Sequence, residues 1–289
     1  MNNKLYTKKA FTLVETLVAV GALAMVVAFA SVIFKVGIDS YRTAGANAEI
    51  MLKLRAITDQ LNRDFEELRK DGYLILHSEV INRKEYESSV SGQSFRADRV
   101  LCFTAGDFQS WFRPDVRSNI ARIYLGHDWR SLDDVEDLPV SRWRLVRDAV
   151  LITPEGSAIE DCSGISFAAF KANPLYIQDA NNLLSSGVVV NIRVDPDSIR
   201  SLMCEDIGEI RIDWTTNGLV WWGLDKPIGG TFAEKMGEQR SDTFYWASWI
   251  PDTERQYWPR ALKFTFTLYD SKGIFKNGRT FTHIVYIGE

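Results

Sequence analysis

Residues 8–34 read KKAFTLVETLVAVGALAMVVAFASVIF, and the reading of this stretch decides the fold and the place of the whole chain. From Phe11 to Phe34 run 24 residues with a single charge, Glu15. As a helix rising about 1.5 Å per residue the run would be about 36 Å long, enough for a bilayer core of about 30 Å. Lys4, Lys8 and Lys9 precede it and no lysine lies inside it. That asymmetry places the N-terminus in the cytoplasm and everything after about Lys35 outside. Three readings are open at this point. The first is a plain single-span anchor. The second is a secretory signal peptide, with Thr16–Val27 as its apolar region and Ala28-Phe29-Ala30 as a small-x-small cleavage site before Ser31. The third starts from Glu15. A carboxylate at the centre of a span costs about 2.5–3.5 kcal/mol. At a helix N-terminus it can reach the interface and gains about 0.3–1 kcal/mol from the dipole. A plain anchor therefore tolerates Glu15 without explaining it.

Lys8-Lys9-Ala10-Phe11-Thr12-Leu13-Val14-Glu15 resembles the cleavage and methylation motif of type IV prepilins and pseudopilins. The basic leader, the aromatic Phe11, the Thr-Leu pair, the glutamate five residues into the mature chain and the unbroken apolar run all keep the family's spacing. The departure is Ala10, where the family usually has glycine. The resemblance implies cleavage after Ala10 by a prepilin peptidase and N-methylation of Phe11. It also implies pairing of Glu15 with the N-terminal amine of a neighbouring subunit, which makes a desolvated carboxylate tolerable only in the assembled state.

The helix is expected to continue past the membrane. In residues 46–70, ANAEIMLKLRAITDQLNRDFEELRK, the apolar positions Ile50, Leu54, Ile57, Leu61, Phe65 and Leu68 recur every three or four residues. That is the stripe of an amphipathic helix. Asp71-Gly72 is a stop signal with Gly72 in the C′ role, and Gly37 and Gly45 mark points of bending. Beyond residue 72 period-two alternation takes over, as in Leu262-Lys-Phe264-Thr-Phe266-Thr-Leu268. Strands are expected at Tyr73–Val80, Arg99–Thr104, Ala121–Leu125, Trp143–Val146, Val150–Thr153, Ile165–Phe170, Val188–Val194, Glu209–Trp214, Leu219–Trp222, Ala261–Tyr269 and Phe281–Ile287. The expected fold is α+β. A long N-terminal helix with a transmembrane first half packs on a mostly antiparallel β-sheet body, in the pilin manner. The expected divisions are a leader at 1–10, the helix at 11–70 with its membrane half at 11–34, and a periplasmic β-rich domain at 71–289. Ile57–Phe65 resembles J-type minor pseudopilins of type II secretion, and Ile207–Trp214 and the C-terminal Pro259–Leu268 and Arg279–Thr282 resemble both these and PilW-like minor pilins.

Composition fits such a body. Of 289 residues, 46% are hydrophobic and 25% charged, which excludes global disorder. The formal net charge of −4 gives no electrostatic footprint for nucleic acid. No nucleophile elbow, zincin, P-loop or dinucleotide fingerprint is present, so no enzyme is expected. His127-Asp128 is read as a surface loop rather than half of an acid–base pair. Asp133, Asp134, Glu136 and Asp137 form an acidic run that could attract calcium, but it lacks EF-hand spacing and is read as a solvated loop. Asp195-Pro-Asp197 is a weaker candidate of the same kind. Cys102, Cys162 and Cys204 allow one disulfide or three free thiols. Trp221 and Trp222, neighbours on an expected strand, point to opposite faces, so one enters the core and the other is exposed or covered by another element. Trp246, Trp249, Tyr257 and Trp258 are read mainly as core, with a subunit contact or sugar platform as the other use. The expected partners are prepilin peptidase, other pilin-like subunits through the N-terminal helix, and the inner membrane, with no cofactor. The competing function is a membrane-anchored or secreted aromatic-rich binding module without a filament role.

Overall fold

The computed structural model describes residues 12–83, 93–128, 139–155, 159–172, 195–226, 239–241 and 244–287. The chain divides into two units, Met1–Ala48 and Glu49–Glu289. Helix α1, Leu13–Glu66, belongs to both and continues without a break through Gly37 and Gly45.

In the first unit the apolar run of α1, up to Phe34, is almost bare. Leu13, Leu17, Leu23, Phe29, Ile33 and Phe34 are all more than half exposed. Among the described residues α1 is the one helix long and apolar enough to cross a membrane.

In the second unit α1 becomes amphipathic. Ile50, Ile57, Leu61 and Phe65 are buried, with Leu54 packed beside them. Fully burying each such side chain is worth about 1.5–3 kcal/mol. The helix ends at Glu66, short of the expected Lys70, because the next backbone groups find partners in a strand. Arg69 N donates to Phe103 O at 2.8 Å, Ala105 N donates to Glu67 O at 2.9 Å, and Leu68 bridges Thr104. Gly72 is not a left-handed cap. It is required because a Cβ there would lie 2.7 Å from the Phe103 ring.

The body holds two antiparallel sheets. The larger contains β1 (Leu74–Arg83), β2 (Gln93–Arg96), β3 (Arg99–Gln109), β4 (Arg117–His127), β5 (Arg144–Leu151), β6 (Leu202–Glu205), β8 (Gln239–Arg240) and β9 (Phe244–Trp249). Its order is β6-β5-β4-β3-β1-β9-β8, with β2 paired to the far end of β1. The smaller sheet is β11-β10-β7, from Arg279–Tyr286, Ala261–Leu268 and Ile207–Thr215. One continuous core joins the α1 stripe to Leu74, Leu76, Val100, Cys102 and Ile123 of the larger sheet. It continues into Ile210, Ile212, Trp214, Phe264 and Phe266 of the smaller one. The opposite face of the larger sheet carries Tyr73, Ile75, Leu101, Phe103 and Tyr124, and helix α2 (Phe167–Ala172) covers part of it through Phe170.

Several expected strands differ. Ile165–Phe170 contains the start of α2, where Ser166 Oγ accepts from Ala169 N at 3.3 Å. Trp143–Val146 and Val150–Thr153 mostly merge into β5. Leu219–Trp222 is not a strand. Asn217 Oδ1 accepts from Leu219 N and Val220 N at 2.9 and 3.0 Å, which curls the chain into a turn, and Trp222 alone bridges Trp214. Val188–Val194 lies outside the described residues.

Candidate functional site

The first turn of α1 is a capping box. Thr12 precedes the helix, and its Oγ1 accepts from Glu15 N at 3.3 Å. Glu15 Oε2 reaches back and accepts from Thr12 N at 2.9 Å and from Thr12 Oγ1 at 3.0 Å. Two otherwise orphaned backbone donors are satisfied reciprocally. Glu15 is therefore both the helix's N-terminal carboxylate and its cap, and Leu13, Val14, Leu17 and Val18 lie bare around it. The sequence reading had Thr12 as half of the Thr-Leu pair, not as the partner of Glu15. The T-x-x-E spacing at 12–15 was the signal for that partner. Ala10 and Phe11, the expected processing residues, lie outside the described residues.

The body's charged groups are mostly tied to one another. Arg147 on β5 donates from Nε and Nη2 to Asp64 on α1, both at 2.7 Å, and so ties the helix to the sheet. Arg99 is fully buried and meets Glu79 at 2.7 Å. Lys53 donates to Asp206 and Tyr269 O at 2.8 and 3.0 Å. His127 and Asp128 are buried, not a surface loop. His127 Nε2 donates to Gly208 O at 2.7 Å with its ring edge-on to Trp143, and Asp128 is paired with Arg144 at 2.7 Å. Each therefore has its own structural partner.

His77 is also buried, between Phe244 and Trp246. Burial holds both imidazoles down at about 4, with the Arg99 charge adding to the effect. The Gly208 carbonyl pulls His127 the other way.

Other candidates resolve as follows. The run Asp133, Asp134, Glu136 and Asp137 lies outside the described residues. Among the described residues no group of His, Cys, Asp and Glu is arranged to hold a metal. Asp195 Oδ1 accepts from Asp197 N at 3.1 Å and caps a short 3-10 turn. All three cysteines are free thiols. Burial pushes Cys204 up to about 12 and Cys102 further. Trp246, Trp249 and Trp258 are core, Trp222 packs against Trp214 with tilted rings 4.8 Å apart, and Trp221 lies under the Lys263 ammonium. Among the described residues the exposed indole is Trp111, at 62%, on a loop the sequence reading passed over. Asp161 braces that loop by accepting from Ser110 Oγ and Trp111 N at 2.8 and 2.6 Å. No protein-family model, no curated protein and no solved structure matches the chain.

Proposed function

We propose that the chain is a minor pseudopilin or pilin subunit. It is made as a precursor, cut after Ala10 by a prepilin peptidase and N-methylated at Phe11. It sits in the inner membrane with its N-terminus cytoplasmic and its body periplasmic, and assembles into a type II secretion pseudopilus or a type IV pilus-like filament. The observation that carries the reading is Glu15. It is the single charge in the apolar run, stands in the first turn of a bare helix, and among the described residues is satisfied there by Thr12. A bare apolar helix is stable in lipid or against other such helices, and a carboxylate at its head gives those contacts an axial register. The same helix then packs its second half into the core of a β-sheet body. The aromatic surface a binding module would use is largely inside the protein, as Trp246, Trp249 and Trp258 are buried.

Intact mass and N-terminal sequencing of protein extracted from its native membrane test the proposal. The expected chain begins at Phe11 and carries one added methyl group. A start at Ser31 would mean a secreted domain, and a start at Met1 a plain anchor; either result removes the filament reading.

Glu15→Gln separates the cap from the charge. The carboxamide oxygen still accepts from Thr12, so insertion and cleavage stay at wild-type levels. The charge available to a neighbour's amine is gone, so subunit recovered in sheared filaments falls about tenfold or more, equivalent to ~1.4 kcal/mol. Wild-type recovery of this variant would leave Glu15 as a cap and nothing else.

A further inference from the structure

Exposed sheet edges template pairing with other chains, and proteins protect them by shortness, bulges, charge, proline or cover. Three edges of this body are protected. β8 has two residues. β6 has four and a register shift against β5. β7 is covered where Trp222 pairs with Trp214 and where Asp98 N donates to Ile210 O at 3.1 Å. β11 is different. It runs eight residues in unbroken register with β10, and among the described residues no strand lies on its outer side. It has no proline or lysine, and its one arginine, Arg279 at the far end, lies over Phe275.

The ladder fixes which backbone groups are free. Ile287 N donates to Arg260 O at 2.8 Å, in register with the β10–β11 pairs. By the alternation of antiparallel pairing, Phe281, His283 and Val285 turn their backbone groups toward β10. Thr280, Thr282, Ile284 and Tyr286 turn theirs outward. Those four side chains share the outer face, where Ile284 is 39% and Tyr286 73% exposed.

The edge leads into a cleft of about 620 Å³, whose lining includes Tyr286, Trp258, Lys70, Arg255, Arg260 and Glu66. Among the described lining residues Arg255 and Arg260 face one carboxylate, Glu66. Among the described residues neither Arg255 nor Arg260 has a carboxylate partner.

We propose that β11 receives an extended segment of a partner polypeptide as an added antiparallel strand, with an acidic side chain of that segment seated in the cleft at Arg255 and Arg260. Backbone pairing supplies affinity in such a mode, and the charged pocket sets register and choice of partner. The charge balance of the cleft selects the occupant. A second copy of β11 carries no carboxylate to place there.

The test uses the full chain in detergent micelles. The probe is a fluorescein-labelled eight-residue peptide of alternating threonine and valine, with two glutamates at its N-terminal end. It is expected to bind about tenfold or more tightly than the same peptide with two lysines, the size of effect a complementary charge pair gives. Arg255→Glu combined with Arg260→Glu reverses that preference. Binding slows amide hydrogen exchange at Thr282, Ile284 and Tyr286. Ile284→Pro removes an outward donor and no ladder bond, so it abolishes binding while the urea midpoint stays put. A peptide N-methylated at alternate residues, with the protein untouched, loses binding in the same way. Three results would overturn the proposal. One is equal affinity for the acidic and basic peptides. Another is wild-type affinity for the N-methylated peptide, which would reduce the cleft to a simple anion site. The third is no binding at millimolar peptide.

Discussion

Asp98→Ala lowers the stability of the body by about 3–5 kcal/mol, the range for breaking one partner out of a buried ion pair. Asp98 is buried at the turn between β2 and β3. It accepts from Arg96 Nε at 3.2 Å, from Arg96 Nη2, and from Ile212 N at 2.6 Å. Its own N–H donates to Ile210 O, and Arg96 N donates to Glu209 Oε1 at 3.0 Å. One carboxylate therefore ties the larger sheet to β7 of the smaller one. Without it the Arg96 guanidinium, 5% exposed, keeps Ser78 Oγ at 3.4 Å and the solvent-facing Asp225 at 3.1 Å. The Ile212 amide is left without its partner, a further cost of about 1–3 kcal/mol if water cannot reach it. Asp98→Asn keeps an acceptor for Ile212 but not the charge, so its loss is smaller. Urea unfolding of the full chain in detergent at pH 7.5, followed by tryptophan fluorescence, measures both. A loss below about 1 kcal/mol for Asp98→Ala, the value of an ordinary exposed pair, would show that the two sheets are held by apolar contact alone.

This tie was not legible in the sequence, although the elements it joins partly were. The α1 stripe could be read because Ile50, Ile57, Leu61 and Phe65 face one apolar surface and the other faces meet water, which writes the helical period into the sequence. β10 could be read for the same reason at period two. β9 could not. It is interior to its sheet, with Tyr245, Ala247 and Trp249 in one cluster and Phe244 and Trp246 against the other. A strand covered on both faces shows no alternation, so Phe244–Trp249 read only as an aromatic-rich stretch. β5 was split in two by Arg147-Asp148, polar residues whose partners, Asp64 and Ser201, are 83 and 53 positions away. The short run at 165–170 was ambiguous between helix and strand on length alone. At the candidate site Glu15 stood out as a lone charge. The cationic cleft did not, because Arg255 comes from a short turn before β10 and Arg260 meets Tyr286 only through the pairing of β10 with β11.

Acid destabilises this body through its histidines before its exposed carboxylates titrate. His77 and His127 are buried as neutral rings held at about 4, against about 6.5 in an unfolded chain. Because the folded value is the lower one, their contribution is fully present above about pH 6.5. It is lost as pH falls toward 4, where the unfolded chain takes up protons that the folded chain refuses. Each ring accounts for about 2 kcal/mol by pH 5 and about 3 kcal/mol below pH 4, so the pair removes stability on the order of 6 kcal/mol. His283, whose Nε2 meets Asn62 Oδ1 at 2.8 Å, is shifted the same way by partial burial. Asp98 acts in the opposite sense over the same range, since burial pushes its carboxyl up to about 6 against the pull of Arg96 and the Ile212 amide. The measurement is therefore a comparison. Urea midpoints of wild type and His77→Phe are taken at pH 7.5 and pH 5. Phenylalanine fits the Phe244–Trp246 setting and cannot titrate, and every other group cancels in the difference. The variant is expected to lose about 2 kcal/mol less than wild type between the two pH values. Parallel losses would mean that His77 accepts a proton in the folded state, and that the packing around it opens to water.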